Sequence, residues 1–170
     1  MRAVVWTQGC SLGCVGCFNP ETHSTNGQEW EPPLLAAYLA SPEIEGLTIS
    51  GGEPFDQWAA TLDLLESWRR VHPGSTLVLS GYTLDRLESL HPPGEMDRLH
   101  EALDVLIAGR YMRHLHLGSG LRGSSNKRVH LFSNRHSLEE IETIPTTEIV
   151  IQADGSVVST GVDPVWVARS

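Results

Sequence analysis

The sequence predicts an α/β protein in which strands and crossover helices alternate, and three observations predict it. Short apolar, β-branched runs recur along the chain, segments of helical period lie between them, and polar, glycine-rich clusters follow the ends of the runs. Strands are expected at residues 3–6, 47–50, 76–80, 105–108, 129–132 and 148–151, each too short to be a helix. The helix expected at 56–71 is carried by Trp58, Leu62, Leu65 and Trp68 at spacings of three and four, with Pro54 and Asp56 opening it and His72-Pro73-Gly74 stopping it. Weaker helical patterns at 33–39, 84–90, 95–103 and 137–141 follow other strands. The run EIVIQADGSVVST places two strand-like halves around Asp154-Gly155 and reads as a β-hairpin. Five or six parallel units are too few for an eight-unit barrel, which takes about 250 residues. A barrel would therefore be partial and open, and a doubly wound sheet shares the same alternation. In either arrangement function collects at the carboxyl ends of the strands, where TQGCSLGCVGC, SGGEP, SGYT and GRY stand here.

The chain has 170 residues, 40% of them hydrophobic and 19% charged, which suits a single soluble globular domain over 1–170. No apolar run approaches the length of a membrane span and the N-terminus carries no signal-peptide core, so a cytoplasmic protein without membrane contact is expected. The net charge of -9 argues against nucleic acid as a partner. Six of the 12 basic residues nevertheless fall in one acid-free stretch, as Arg110, Arg113, Arg122, Lys127, Arg128 and Arg135. It is either a docking surface or a set of solvated positions.

All 3 cysteines fall within eight residues, as Cys10, Cys14 and Cys17. An odd, tight set on a glycine-rich loop is no disulfide framework and points to reduced thiolates that bind metal. Three soft ligands suit zinc, with His23 as a fourth ligand, or a [4Fe-4S] cluster with one iron left open.

CxxxCxxC after the first strand, followed one unit later by Ser50-Gly51-Gly52-Glu53-Pro54, resembles the radical S-adenosylmethionine superfamily. Within it the chain resembles the activating proteins of glycyl radical enzymes, those of anaerobic ribonucleoside-triphosphate reductase in particular. GCSLGCVGCFNPETH, LTISGGEPFDQ, LVLSGYTLDRL, DVLIAGRY and LRGSSNKRVH follow in register across residues 1–132, leaving 133–170 as an extension. The expected fold is a partial, open β/α barrel of five to six parallel strands, with the C-terminal β-hairpin read from the residues. The resemblance implies a [4Fe-4S] cluster on Cys10, Cys14 and Cys17, and S-adenosylmethionine cleaved to a 5′-deoxyadenosyl radical that abstracts hydrogen from a glycine of a partner reductase. The electron would come from a flavodoxin or ferredoxin-type donor. A stand-alone radical enzyme acting on a peptide or small molecule, and a zinc- or cluster-binding interaction protein, are the other readings.

The residues have roles to match. Glu53 and the Gly51-Gly52 carbonyls are suitable acceptors for the cosubstrate's amino group; SGGEP taken by itself reads as readily as a strand-to-helix turn, and the upstream cysteines favour the binding role. Phe18 could pack on adenine or close its loop, and Asn19 could bind the nucleoside or cap the turn at Pro20. Ser80 and Tyr82 end the third strand, where relatives place contacts to ribose or carboxylate, and Arg110 could reach the carboxylate. Arg122, Ser124, Ser125 and Asn126 suit recognition of substrate or partner, or a self-satisfied turn. His23, His114 and His116 are expected at the surface in this reading, and the 5 tryptophans in core or rim packing.

Overall fold

The computed structural model describes residues 1–145, 147–152 and 154–161. Five strands, β1 (Arg2–Thr7), β2 (Gly46–Gly51), β3 (Ser75–Ser80), β4 (Val105–Ala108) and β5 (Arg128–Leu131), form one sheet in sequential order. The first four are parallel, whereas β5 runs antiparallel to β4, with Ala108 opposite Arg128 and Val105 opposite Leu131. This corrects the expectation of five to six parallel strands. A parallel return needs a crossover, usually a helix. Between β4 and β5 the chain has only the 3-10 turn Arg113–Leu115 and comes straight back.

Helices α1 (Pro32–Leu39), α2 (Trp58–Val71), α3 (Leu84–Leu90) and α4 (Pro93–Ala102) join the parallel strands. Alternation along each strand sends Ala3, Leu47, Ile49, Val78 and Leu106 to one face, where they share a core with Ala36, Leu65, Trp68, Leu87 and Leu99 of the four helices. All three crossovers, with their four helices, therefore cover one face. A doubly wound sheet would cover both and reverse its strand order, so that alternative is excluded. The spacing read for α2 is the buried face observed, with Leu62, Leu65 and Trp68 in the core. Trp68 also donates its indole N–H to the Gly74 carbonyl at 3.0 Å, which fixes the helix end to the turn into β3.

The other face carries Leu77, Val105 and Ile107, packed beneath Ile141 of α5 (Leu138–Thr143). A capping box of Ser137 and Glu140 opens α5. The hairpin follows as β6 (Thr147–Ile151) and β7 (Val157–Gly161), an antiparallel pair separate from the main sheet. Trp68 is in the core, Trp58 stacks on His91, and Trp6 and Trp30 are largely exposed, while Trp166 lies outside the described residues. Among the described residues no helix is long and apolar enough to cross a membrane.

At the amino end of β4 the buried carboxylate of Asp104 gathers four elements. It accepts from the Thr76 N–H at 2.8 Å and the Ser133 hydroxyl at 2.5 Å, and pairs with Arg69 of α2 at 2.7 Å. Burial opposes the charge, but Ser133, Arg69 and Thr76 together hold the carboxyl below its ordinary pKa. Asp104→Ala is expected to cost about 3 kcal/mol at neutral pH, read by guanidinium unfolding, since it strands Arg69 and two donors. A depressed folded pKa stabilises above the unfolded value and loses that contribution as pH falls through the folded one. The wild-type and variant curves should thus converge in acid, below the ordinary carboxylate range.

Candidate functional site

The cysteine loop leaves β1 at Thr7 and is seated on the end of β2 by backbone hydrogen bonds. The Gly52 N–H donates to the Thr7 carbonyl at 2.8 Å and the Glu53 N–H to the Gly9 carbonyl at 2.9 Å. Gly9 in turn donates to Thr22 at 2.9 Å, which draws in the 3-10 turn Pro20–His23. A Cβ on Gly52 would stand 2.1 Å from the Gly9 oxygen, so only glycine lets the two segments meet. On its outer side the loop is held by Asp56, which accepts from the Ser11 N–H at 2.6 Å and the Tyr82 hydroxyl at 2.8 Å. Cys17 closes the inner turn by donating its N–H to the Cys14 carbonyl at 3.2 Å.

The three thiols are free, half-buried, and open onto one cavity of about 300 Å3. Burial pushes the Cys17 thiol up, with Cys14 and Cys10 adding to the effect against the Asn19 N–H. Among the described residues no three His, Cys, Asp or Glu side chains are grouped as a single-ion site, and Cys10, Cys14, Cys17 and His23 all line the one cavity. Thiols spread around a shared cavity fit a multi-iron cluster, whose ligands bind separate irons.

Gly51, Gly52 and Glu53 line the same cavity. Glu53 is 1% exposed. Its Oε1 accepts from the Phe55 N–H at 3.0 Å and the Ser80 hydroxyl at 2.8 Å, and its Oε2 from the Gly81 N–H at 2.7 Å. Burial pushes its carboxyl up, and these three donors oppose the shift. The bond to Phe55 also makes Glu53 the cap of the 3-10 turn Pro54–Gln57 ahead of α2. The turn role and a place in the cavity therefore coexist. A Cβ on Gly81 would stand 2.2 Å from the end of the Leu12 side chain, which would have to move aside.

Phe18 and Asn19 line the cavity as well. The Phe18 ring lies 4.5 Å from that of Tyr111 and 5.5 Å from that of His116, closing the loop against the β4–β5 connection. The Asn19 carbonyl accepts from the Thr22 N–H at 3.1 Å. Ser80 and Tyr82 stand behind the lining and act through Glu53 and Asp56. Arg110 lies outside it, exposed, with its guanidinium on the Leu12 carbonyl. Arg122 lines the cavity and pairs with Glu142 of α5 at 2.9 Å. Ser124 is fully buried and accepts from the Met112 N–H at 3.3 Å, and the Asn126 amide donates to the Arg110 carbonyl at 2.8 Å while its buried Oδ1 has no partner, so the turn is only partly self-satisfied. Ser125 is exposed and donates its N–H to Leu115.

Two cavity residues stand elsewhere than the family resemblance and the basic run place them. His23, expected at the surface, is half-buried, and its Nε2 is buried with no hydrogen-bond partner, an orphan that suits a wall facing a bound group. Lys127 lines the cavity too, where burial pushes its ammonium down and Glu53, Cys14 and Cys17 pull it back up. In sequence Lys127 stands beside Arg128 within a basic run, and nothing separates the inward cation from the outward one.

A family model described as a 4Fe-4S single cluster domain matches residues 1–130. The anaerobic ribonucleoside-triphosphate reductase-activating protein of Enterobacteria phage T4 is 32% identical over 135 residues, 75% of this chain and 82% of that protein. Its namesake in Vibrio cholerae is 30% identical over 143 residues, 78% and 88% of the two chains, and that of Escherichia coli 30% over 139, 76% and 87%. No solved structure matches. With three thiols around one cavity and these likenesses over most of its length, the chain belongs to the 4Fe-4S single-cluster family of anaerobic ribonucleoside-triphosphate reductase-activating proteins.

Proposed function

We propose that this chain cleaves S-adenosylmethionine reductively and uses the resulting 5′-deoxyadenosyl radical to take a hydrogen atom from a glycine of a partner anaerobic ribonucleotide reductase. One electron enters, the C5′–S bond breaks to release methionine, and the hydrogen from the glycine Cα completes 5′-deoxyadenosine while the glycyl radical remains on the partner. The observation that carries this reading is the seating of the three-thiol loop on the Gly52-Glu53 turn around one cavity. A [4Fe-4S] cluster on three thiolates supplies a low-potential electron and an open iron position.

The chain's own residues do the rest. Cys10, Cys14 and Cys17 would hold the cluster. Glu53 has acceptor capacity left on Oε2, since its two oxygens offer about four sites and three donors are in place. That capacity suits the ammonium of an amino-acid ligand. Phe18 and Asn19 are placed to meet a nucleoside in the same cavity. The sequential sheet, with helices on one face, supports a partial, open barrel, and its open side suits entry of a whole protein loop. Exposed Arg113 and Arg128 suit docking of that partner, and a flavodoxin or ferredoxin-type protein suits the role of electron donor.

Anaerobic reconstitution should yield about four irons per chain and a brown chromophore, lost in Cys10→Ala, Cys14→Ala and Cys17→Ala. Incubation with S-adenosylmethionine and dithionite should release 5′-deoxyadenosine, and its absence would end the proposal. Gly52→Ala should fold yet retain several-fold less iron, because its Cβ displaces the Gly9 carbonyl. Charge reversal at Arg113 and Arg128 should lower the glycyl radical signal, seen by electron paramagnetic resonance, by about tenfold more than it lowers 5′-deoxyadenosine.

A further inference from the structure

The three thiols line the cavity, but the turn that carries them shows its other side to solvent. Between Cys14 and Cys17 the chain reverses tightly, with the Cys17 N–H on the Cys14 carbonyl, and Val15 and Gly16 form the bend. Val15 lies outside the cavity lining and is 82% exposed. Gly13 and Gly16 beside it are exposed as well and carry no side chain. On this side the turn itself, one residue thick, stands between the thiols and solvent.

Two arginines bracket the turn. Arg110 sets its guanidinium on the carbonyl of Leu12, between the first two cysteines. The stem of Arg113 lies over Gly16, between the second and third, where an added Cβ would stand 2.9 Å from its Cδ. Both arginines are exposed, and both belong to the acid-free stretch 106–136. Residues 3–68, by contrast, contain acids and no Lys or Arg. Asp56, the acid tied to the loop, is taken up by Ser11 and by the Tyr82 hydroxyl. An apolar tip with a basic flank therefore stands over the thiols of a chain whose net charge is -9.

A negatively charged protein is repelled by most of such a chain and steered to that flank. Electron tunnelling falls steeply with distance, so docking is most useful where the least backbone covers the cluster ligands. Brief redox encounters also need little buried area, which one exposed valine inside a charged border can supply. We propose that the Val15 tip, flanked by Arg110 and Arg113, is the port at which an acidic one-electron carrier protein docks, leaving the cavity free for ligand and substrate. One electron passes from the carrier to the cluster, so that the carrier is oxidised and the cluster reduced by one. The inference rests on a cluster held by Cys10, Cys14 and Cys17, and not on what is cleaved there.

The test follows the electron in the reverse direction, which uses the same contact. Reconstituted protein is reduced with dithionite, freed of excess reductant, and mixed by stopped flow with an oxidised flavodoxin of net negative charge or with methyl viologen, a small cation. One electron leaves the cluster and appears as flavin semiquinone, with a proton from solvent, or as the viologen radical. At matched iron content Val15→Glu should slow transfer to flavodoxin by about tenfold, and Val15→Lys should speed it by about threefold. Arg110→Gln should slow it as well, and all three variants should stay within about twofold of wild type toward viologen. Arg113 is left intact, since it also serves the reductase surface. Raising the salt should compress the differences seen with flavodoxin. Equal changes with both acceptors, or flavodoxin rates that ignore the charge at position 15, would overturn the port while leaving cleavage of S-adenosylmethionine standing. Failure of the wild type to load iron would overturn both.

Discussion

The Gly9 carbonyl accepts the Glu53 N–H at 2.9 Å, and across this one contact two segments far apart in sequence become a single site. The cysteine loop has little regular structure of its own, so its position comes from what it rests on. It rests on the end of β2, a strand paired on both sides, through bonds from Gly52 and Glu53. Closeness of approach is the controlling requirement, since a single methyl at Gly52 would stand 2.1 Å from the Gly9 oxygen. The thiols and the buried carboxylate share a cavity because of that seating, and everything chemical about the site depends on it.

The same carboxylate shows how the fold tolerates a charge it has taken out of water. Desolvation pushes Glu53 toward its neutral form, while Phe55, Ser80 and Gly81 aim three donors at it from the start of one helix and the end of a neighbouring strand. At the opposite end of the sheet Asp104 is treated similarly, but there Arg69 and Ser133 complete the set and the acid form is suppressed. One acid is fully paired and ties elements together. The other keeps acceptor capacity facing a cavity. That difference in completion separates a structural acid from one available to a ligand.

Beyond the stretch that the family model covers, the chain still contributes to the site. Ile141 of α5 covers the sheet face that the four crossover helices leave bare, and Glu142 holds Arg122, which in turn bonds the Lys127 carbonyl. Glu148 and Gly161 of the hairpin reach the cavity lining, and Ile149, Ile151 and Val158 are left exposed. The extension thus supports the wall of the cavity from outside the motif-bearing core.

Strand positions were legible in the sequence because burial on a sheet has a period of two, and α2 because Trp58, Leu62, Leu65 and Trp68 keep a helical period. The cysteine triad was legible because metal chemistry constrains residue type and spacing along the chain. The direction of β5 is signalled by the lack of any helical period between 109 and 127. What residue order and type fix is therefore local: the strands, the helices, the thiol-bearing loop and the glycine-rich turn that follows β2. Long-range packing sets the rest: all the crossover helices cover one face, Arg110 rests on the Leu12 carbonyl outside the cavity lining, and Lys127 and His23 line the cavity. The physical reason is that burial and the company of other charges are set by segments distant in the chain, while the residue types alone, a lysine beside an arginine or a histidine in a loop, read the same in either setting.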